Sequence, residues 1–261
     1  MGITVLCVGD VAGRSGLDAL SHLRSAKASV KADIVIVNGE NASGMGITRA
    51  NAEEIFLSGA DVITLGNHAF SKKDISIMLD DQPRIIRPHN LSGELAGRGV
   101  YVLQCGAYGG FNLAVVALMG RIGMEGGPEA SNPFKAADCI IESLSGKVNG
   151  IIIDFHAEAT SEKAALLHHL AGRVSAIFGT HTHVRTDDAR VYNGTGFITD
   201  IGMTGAENSV IGIDPASSLE YFLSDGAEKH YRAATGSGRI SGVVFRLSNN
   251  GKCESAEIFK E

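Results

Sequence analysis

The feature that most constrains the fold is a series of short, β-branched apolar runs separated by stretches with helical patterning. Runs such as DIVIVN and GIIIDF are almost wholly apolar, which is typical of strands in a sheet covered on both faces. The alternation of such strands with helices indicates an α/β layered fold. Two later runs, Val100–Gln104 and Leu113–Leu118, flank the Gly-rich segment GAYGG. This arrangement predicts an antiparallel pair within an otherwise parallel sheet.

No composition break, repeat or low-complexity segment divides the 261 residues, so we predict a single domain over residues 1–261. The formal net charge of −6 offers no broad basic surface, which argues against a stable nucleic-acid complex and against an anionic membrane as partner. The four cysteines are scattered, and the first apolar run is too short for a secretion signal. These features predict a cytoplasmic protein with small-molecule ligands, and they are compatible with a homo-oligomer.

Polar side chains follow five of the apolar runs, where each strand is predicted to end. In chain order they are Asp10, Glu40 with Asn41, Asn67 with His68, His156, and His181 with His183. Binding sites of open α/β sheets collect beyond the carboxyl ends of strands. Single residues have ordinary alternatives, since an Asp can cap a helix, an Asn can occupy a turn and a lone His can be a satisfied core residue. Because five strand ends share this property, we interpret them as one site.

The donors at these strand ends suit metal ions. Carboxylates, amide oxygens and imidazoles in one set are typical of iron, manganese or zinc rather than calcium. One ion takes about four to six ligands, so seven donors favour two ions. Glu40 can bridge them, because a carboxylate has two oxygens. Two ions roughly 3.5–4 Å apart can share a bridging hydroxide and clamp a phosphoryl group, while His68 would be free to act on the substrate.

The order of these residues resembles that of the calcineurin-like metallophosphoesterases: an Asp, then GNH, then a lone His, then GxHxH. Longer segments are more closely similar to the bacterial YmdB-type subfamily of cyclic-nucleotide phosphodiesterases. They include NGENASGMGIT, VITLGNHAF, DFHAEATSEK, GTHTHVRTDDAR and ITDIGMTG. Together the similar segments extend from Asp10 to about Gly205, so the resemblance covers most of the chain in the expected order.

The resemblance implies a four-layer α/β sandwich, in which two mixed β-sheets are flanked by helices and a two-metal site lies at one edge. It makes His68 the catalytic histidine. It assigns one metal to Asp10, Glu40, Asn41 and His183, and the other to Glu40, Asn67, His156 and His181. It also implies two divalent or trivalent ions, iron or manganese with zinc as the alternative, and hydrolysis of cyclic nucleotides, with 2′,3′-cyclic AMP as the first candidate substrate.

Two positions depart from the wider superfamily. Ala12 stands where the superfamily has a histidine two residues after its first aspartate, and Asn41 would replace that ligand. Ala69 stands where an acid commonly follows GNH. No neighbouring carboxylate therefore orients His68 from that position, and the partner of His68 must come from elsewhere or be water.

Further polar residues are candidates for substrate contact. His89 and Asn90 follow another strand in RPHN and are predicted to bind phosphate or ribose, with ordinary loop residues as the alternative. Arg14 and Arg185 are candidate phosphate clamps by charge and position. Three acids are candidates for supporting the ligands from behind: Glu158, Glu162 and Asp200. Residues 207–238 could form a flap near the site.

A metal-dependent phosphodiester hydrolase is the function predicted first. A phosphomonoesterase or nucleotidase is the alternative among enzymes, because the same two-metal core serves both reactions. A regulatory protein that binds metal and nucleotide with little turnover is an alternative of another class. The complete set of candidate ligands together with His68 favours catalysis.

Overall fold

Two six-stranded mixed sheets form the centre of the protein. The computed structural model describes residues 2–73, 75–105, 110–224 and 232–260, and for Cys105 it describes only the backbone. The strands are β1 (Ile3–Val8), β2 (Asp10–Val11), β3 (Ile34–Asn38), β4 (Val62–Thr64), β5 (Ile85–Ile86), β6 (Val100–Cys105), β7 (Phe111–Met119), β8 (Gly150–His156), β9 (Ala176–Thr180), β10 (Arg190–Tyr192), β11 (Thr195–Ile198), β12 (Met203–Ala206), β13 (Gly238–Arg239), β14 (Ser241–Leu247) and β15 (Cys253–Lys260). The helices are α1 (Gly13–Ala19), α2 (Leu23–Ser29), α3 (Arg49–Ser58), α4 (Ile75–Asp81), α5 (Pro133–Leu144), α6 (Thr160–Leu170) and α7 (Pro215–Leu223).

Each large sheet has a parallel centre and antiparallel additions. The first sheet has the order β15-β14-β1-β3-β4-β5, and the second has the order β10-β11-β9-β8-β7-β6. Strands β1, β3, β4 and β5 are parallel in the first sheet, as are β7, β8, β9 and β11 in the second. The predicted antiparallel pair is β6 with β7; its connecting residues 106–109 lie outside the described ranges.

Three apolar clusters separate four layers. The middle cluster joins the inner faces of both sheets through side chains such as Val5, Ile152 and Phe178. One outer cluster packs the first four helices on the first sheet, and the other packs α5 and α6 on the second. Each fully buried large apolar side chain contributes about 1.5–3 kcal/mol. The predicted four-layer sandwich is confirmed, because the β-branched strands supply apolar side chains on both faces.

The parallel strands determine where the loops meet. All strands of a parallel set end at the same edge of their sheet, and β3 and β8 are buried along their whole length. The residue pairs Val8↔Val37 and His156↔Thr180 mark this carboxyl edge in the two sheets. The loops that follow β1, β3, β4, β8 and β9 therefore collect at one side of the sandwich.

Some local features differ from the sequence-based expectation. The sequence pattern favours one helix over Gly16–Ala28, whereas in the structure the helical region begins at Gly13 and is interrupted by a 3₁₀ turn at Leu20–His22. A third sheet, with the order β13-β12-β2, was not predicted because two of its strands contain only two residues. Residues 225–231 of the predicted flap lie outside the described ranges. No helix in those ranges is long and apolar enough to cross a lipid bilayer.

Candidate metal centre

All seven predicted ligands lie at the carboxyl edge of the sandwich, contributed by both large sheets. Asp10 opens β2 directly after β1, while the other first-sheet residues follow β3 and β4. His156 is the last residue of β8, and the segment with His181 and His183 follows β9. Five strand ends therefore bring their polar side chains together, although these residues are up to 173 positions apart (183 − 10) in the chain.

His156 is the centre of one group of donors. Its Nε2 atom lies 3.1 Å from Glu40 Oε1, 3.0 Å from Asn67 Oδ1 and 3.1 Å from His181 Nδ1. Glu40, His156 and His181 each present a ligand atom within 4.8 Å of the others. Asn67 is oriented by its Nδ2, which donates to the carbonyl of Glu125 at 2.7 Å and so turns Oδ1 towards His156. These four residues are the set that the resemblance assigned to one metal.

His183 is the centre of the second group. Its Nδ1 lies 2.8 Å from the carbonyl of Ile211, to which it donates, so Nε2 carries the lone pair. Nε2 lies 3.1 Å from Asn41 Nδ2 and 3.8 Å from Asp10 Oδ1. A cation here would require the amide oxygen of Asn41 in place of its nitrogen, and a half-turn of the amide exchanges the two atoms. The backbone N–H of His181 donates to Asp10 Oδ2 at 3.2 Å and links the groups.

Three carboxylate oxygens of this cluster lack hydrogen-bond donors within the described part of the chain. Asp10 and Glu40 are fully buried, yet Asp10 Oδ1 and both Glu40 oxygens accept no well-directed hydrogen bond within the described part of the chain. A buried carboxylate without partners is costly, and buried polar groups are normally satisfied. Three such oxygens beside imidazole nitrogens fit the donor set of a cation, since a cation would satisfy all of them together.

The close approach of carboxylates and imidazoles in this cluster, together with their burial, shifts the pKa values of these side chains. Burial alone would lower the pKa of His156, but the carboxylates of Glu40, Asp10 and Asp154 outweigh it and raise that pKa to about 9. Burial and the neighbouring His156 lower the pKa of His181 to about 3. Burial raises the pKa of Asp10 against the opposing effect of His183. Without a metal, a proton shared near Glu40 and His156 therefore supplies the positive charge, and a metal must displace it.

The backbone near the cluster is unusual in ways that the site explains. A Cβ atom on Gly66 would lie 2.1 Å from Glu40 Oε2 and 2.2 Å from His156 Cδ2, so only glycine fits between them. His181 and His183 have φ values of 100° and 65°, a region that costs non-glycine residues about 1–3 kcal/mol. The positive φ values break the simple alternation of an extended segment and aim the two imidazoles into different donor groups.

A buried ion pair supports this histidine segment. Lys163 on α6 and Asp200 are each 1% exposed, and Nζ lies 2.7 Å from Asp200 Oδ2. The same oxygen accepts from Thr182 Oγ1 at 2.8 Å, while Oδ1 accepts from the backbone N–H of Gly202 at 2.8 Å. Asp200, predicted to support the ligands, therefore fixes the residue between His181 and His183.

A second buried carboxylate supports His156 from between the sheets. His156 Nδ1 lies 2.8 Å from Thr180 Oγ1, which donates to Asp154 Oδ1 at 2.7 Å. Asp154 Oδ2 accepts from Asn38 at 2.9 Å and from Thr64, both on the first sheet. Burial raises the pKa of Asp154 to about 6 against these hydrogen bonds. Because Thr180 accepts from Nδ1, the Nε2 atom of His156 is the one that faces the cluster.

The remaining predicted residues differ in how they contact the candidate ligands and their surroundings. His68 is partly buried, and its Nδ1 has no hydrogen-bond partner in the described ranges. His89 is exposed, and no hydrogen bond or ion pair joins it to the seven candidate ligands within those ranges. Asn90 is buried, with its amide bonded to the backbone of Met119 and Ser131. That bonding gives Asn90 a structural role, and substrate contact by His89 and Asn90 stays a prediction from the sequence.

The candidate clamp and supporting residues differ in which groups they contact. Arg14 is exposed and paired with Asp18 and Glu54 on the surface. Glu158 Oε2 lies 3.3 Å from His181 Nε2, although it was expected to support His156. The carboxylate of Glu162 instead accepts backbone N–H groups of residues 121–122.

Sequence reasoning missed Lys163 and Asp154. A single carboxylate in the otherwise apolar run GIIIDFH was a usable signal, because Asp154 lies two residues before His156 and on the same face of the strand. Lys163 gave no comparable signal, since a lysine in a helix is usually exposed.

Residues 6–259 match the protein family described as "YmdB-like protein". A 2′,3′-cyclic-nucleotide 2′-phosphodiesterase from Bacillus subtilis (strain 168) is 39% identical over 251 residues, which cover 95% of this chain and 92% of that protein. A crystal structure of a novel phosphatase from Mycoplasma pneumoniae superposes with a TM-score of 0.91 at 32% identity, covering 100% and 94% of the two chains. A hypothetical protein from Thermus thermophilus superposes with a TM-score of 0.89 at 37% identity, covering 99% of each chain.

These similarities extend over nearly the whole chain and agree with the resemblance seen in its motifs. The structures share the four-layer architecture as well as the sequence. The protein belongs to the YmdB-like family.

Proposed function

We propose that this protein is a metal-dependent phosphodiesterase that hydrolyses cyclic nucleotides, with 2′,3′-cyclic AMP as the first candidate. The observation that carries the proposal is the group of three buried carboxylate oxygens without donors, from Asp10 and Glu40, beside imidazoles from His156, His181 and His183. The name of the Bacillus subtilis relative, a 2′,3′-cyclic-nucleotide 2′-phosphodiesterase, supports the choice of substrate class.

The donor set supports two ions, iron or manganese with zinc as the alternative. We infer that Asp10, Glu40, Asn41 and His183 hold one ion, and that Glu40, Asn67, His156 and His181 hold the other. When bound, such ions supply Lewis-acid stabilisation of the phosphoryl charge and lower the pKa of water so that it can attack phosphorus. Glu40 is the shared ligand, because its two donor-free oxygens can face two different cations.

Protein hydrogen bonds hold the imidazoles in the tautomer that metal binding needs. Thr180 accepts from His156 Nδ1, and the carbonyl of Ile211 accepts from His183 Nδ1. Each contact keeps a proton on Nδ1, so Nε2 is the ring atom that can bind a cation once any proton on it has left. The ligands are therefore oriented before a cation arrives, which lowers the conformational cost of binding it.

His68 is the residue we assign to the leaving group. Its ring lies close to the cluster, where Nε2 is 3.4 Å from Asn67 Nδ2, while Nδ1 has no partner in the described residues. An imidazole in this position can donate a proton to the ribose oxygen that leaves phosphorus, or stabilise charge on the phosphoryl oxygens. Since residue 69 is alanine, a carboxylate at that position does not orient the ring.

The test is hydrolysis after chelation and reconstitution with manganese. The substrates are 2′,3′-cyclic AMP, 3′,5′-cyclic AMP and 3′-AMP, each with the wild type and His68→Ala. We expect manganese-dependent cleavage of a cyclic diester, little phosphate release from 3′-AMP, and a loss of about 10²–10⁴-fold in kcat for His68→Ala. Manganese bound per protein is measured on the same samples, and His68→Ala should retain it.

Two outcomes would change the assignment. The Mycoplasma pneumoniae relative of known structure is described as a phosphatase, so preferential phosphate release from 3′-AMP would make the protein a phosphomonoesterase. Metal binding without turnover of any substrate would favour the regulatory alternative. The single domain, the cytoplasmic location and the homo-oligomer remain predictions from the sequence.

A further inference from the structure

A cavity of about 320 Å³ opens beside His183. Its wall includes His183, Arg185, Met203, Glu207, Ser209 and Arg239. This volume lies at the lower end of the range of pockets that hold small molecules. Another cavity, of about 270 Å³, lies near Ser145 and Ser175, away from the strand ends with the candidate ligands. The cavity beside His183 adjoins the candidate metal centre, because that residue belongs to both.

The small third sheet connects the cavity to the metal centre. Its register pairs Met203 with the candidate ligand Asp10, and Gly205 with Arg239. Neighbouring strands lie about 4.8 Å apart, so Arg239 is two strand spacings, or about 10 Å, from the strand of Asp10. Cβ atoms built on Gly205 and Gly212 would lie 3.2 and 3.3 Å from Ala12 Cβ. A side chain on either glycine would therefore press against Ala12.

The two arginines in the wall are available for an anion. Within the described ranges, neither Arg185 nor Arg239 forms an ion pair or a side-chain hydrogen bond with another residue. In contrast, the guanidinium of Arg14 is used by two surface carboxylates. Among its described residues the wall holds one carboxylate, that of Glu207, against two guanidinium groups, so their summed charge is positive. Guanidinium groups bind phosphate through paired N–H donors.

The composition of the wall argues against a nucleobase as the occupant. Proteins commonly hold unpaired bases by stacking them on aromatic rings. Among the described residues the wall contains no Phe, Tyr or Trp; its apolar members there are Val184, Met203, Ala206 and Ile211. Arginine donors complete it, because the hydroxyls of Ser209 and Ser241 already donate to backbone carbonyls. This is a lining for a hydrated anionic group.

We propose that this cavity binds a second phosphate of the substrate, attached to the 5′ oxygen of the ribose whose cyclic phosphate is cleaved. The inference rests on the proposed function, because it seats the cyclic phosphate at the metal centre beside His183. The ribose then spans from the metal centre to Arg185 and Arg239. A 5′-phosphate occurs as a monoester on a free nucleotide and as a diester in the last residue of a short RNA; the net charge of −6 disfavours longer chains.

The first test compares kcat/KM for adenosine 2′,3′-cyclic phosphate with and without a 5′-phosphate. We expect the wild type to prefer the 5′-phosphorylated substrate by about tenfold, equivalent to one good charge-assisted contact. Arg185→Gln and Arg239→Gln should reduce this preference to less than about threefold. Arg246→Gln is the matched control, because Arg246 pairs with Glu257 and lies opposite Thr4, far from the carboxyl edge; it should keep the preference.

A dinucleotide ending in a 2′,3′-cyclic phosphate distinguishes a 5′-phosphate on a free nucleotide from one in the last residue of a short RNA. Faster cleavage of the dinucleotide than of the 5′-monoester assigns the cavity to the end of an RNA, and the reverse order assigns it to a free nucleotide. If the wild type does not discriminate for or against the 5′-phosphate, or if the arginine variants slow both adenosine substrates equally, the proposal is wrong.

A measurement of ligand binding tests the phosphate subsite independently of the proposed hydrolytic activity. Adenosine 3′,5′-bisphosphate and 3′-AMP are titrated calorimetrically into the manganese-loaded wild type, Arg185→Gln and Arg239→Gln. Tighter binding of the bisphosphate, lost in both arginine variants, supports the phosphate subsite even if no cyclic substrate is hydrolysed. Equal affinity of the wild type for both ligands overturns the subsite even if 2′,3′-cyclic AMP is hydrolysed.

Discussion

Glu40 and Asp154 are both fully buried carboxylates at the same end of the sandwich, yet the protein treats them in opposite ways. Asp154 accepts hydrogen bonds from Asn38, Thr64 and Thr180, contributed by strands of both sheets. Glu40 has no such donor on either oxygen within the described residues. The fold can clearly supply hydrogen-bond donors to a buried carboxylate, and at Glu40 it places imidazole nitrogens and an amide oxygen instead.

The difference separates a carboxylate whose oxygens are satisfied by hydrogen bonds from one that is open to a positive charge. The bonds around Asp154 tie the two sheets together and orient His156 through Thr180. Glu40 gains comparable stabilisation only from a positive charge at its open side, whether a proton on His156 or a metal. The effects of substituting the two kinds of carboxylate should therefore be detected by different measurements.

Glu40→Gln should have the largest effect, a loss in kcat/KM on the order of 10³–10⁴-fold, or about 4–5.5 kcal/mol at the transition state. The amide keeps one oxygen and replaces the other by a donor, so it cannot face two cations. Elemental analysis after manganese reconstitution should show a reduced metal-to-protein ratio, as it should for His183→Ala. Glu257→Gln, at an exposed ion pair, is the control. A normal metal ratio in Glu40→Gln would contradict its role as the shared ligand.

Asp200→Asn should mainly reduce stability. It leaves the buried ammonium of Lys163 without its charge partner, and breaking a buried pair in this way costs roughly 3–5 kcal/mol. Urea unfolding of the metal-free protein measures the change. Asp138→Asn removes an exposed partner of Arg173 and should cost less than about 1 kcal/mol. Equal losses in the two variants would show that Lys163–Asp200 has no special structural role.

Asp154→Asn should weaken manganese binding by about 10–100-fold, the usual effect of removing a group that orients a metal ligand. The side chain keeps its size but can no longer accept from all its present donors. Thr180→Val should have a similar effect, because it breaks the path from His156 to Asp154, whereas Thr180→Ser retains the hydroxyl and should restore affinity. Manganese titration under competition with a chelator gives the affinities. Wild-type affinity in Thr180→Val would show that this path does not orient His156.

Arg14→Gln should have the smallest effect. Its partners, Asp18 and Glu54, are solvent-exposed, and such pairs contribute about 0–1 kcal/mol. We expect kcat/KM for 2′,3′-cyclic AMP to stay within about twofold of the wild type. A tenfold loss would restore Arg14 as a phosphate clamp and would require its surface pairs to open in the complex.

The sequence was sufficient for the layers and for the convergence of the candidate ligands. Residues such as Asn67 and His156 follow apolar strands directly, and the rule that parallel strands end at one edge brought them together without further information. The pairing of Lys163 with Asp200 depends on how α6 packs beside a loop 37 residues later, which no local pattern encodes. The positive φ values of His181 and His183 could not be predicted from the sequence either, because they arise from tertiary hydrogen bonds rather than residue preference.

The strand order has a consequence for when a metal can be acquired. Strand β1 pairs on one side with β14, which lies 58 residues beyond the last candidate ligand (241 − 183). At about 5–20 residues per second, translation needs several seconds to add this segment after His183. All seven donors thus leave the ribosome before the first sheet is complete. Since bare nitrogen and oxygen donors favour copper and zinc over manganese and iron, the order of synthesis makes metal supply inside the cell part of what determines the ion bound.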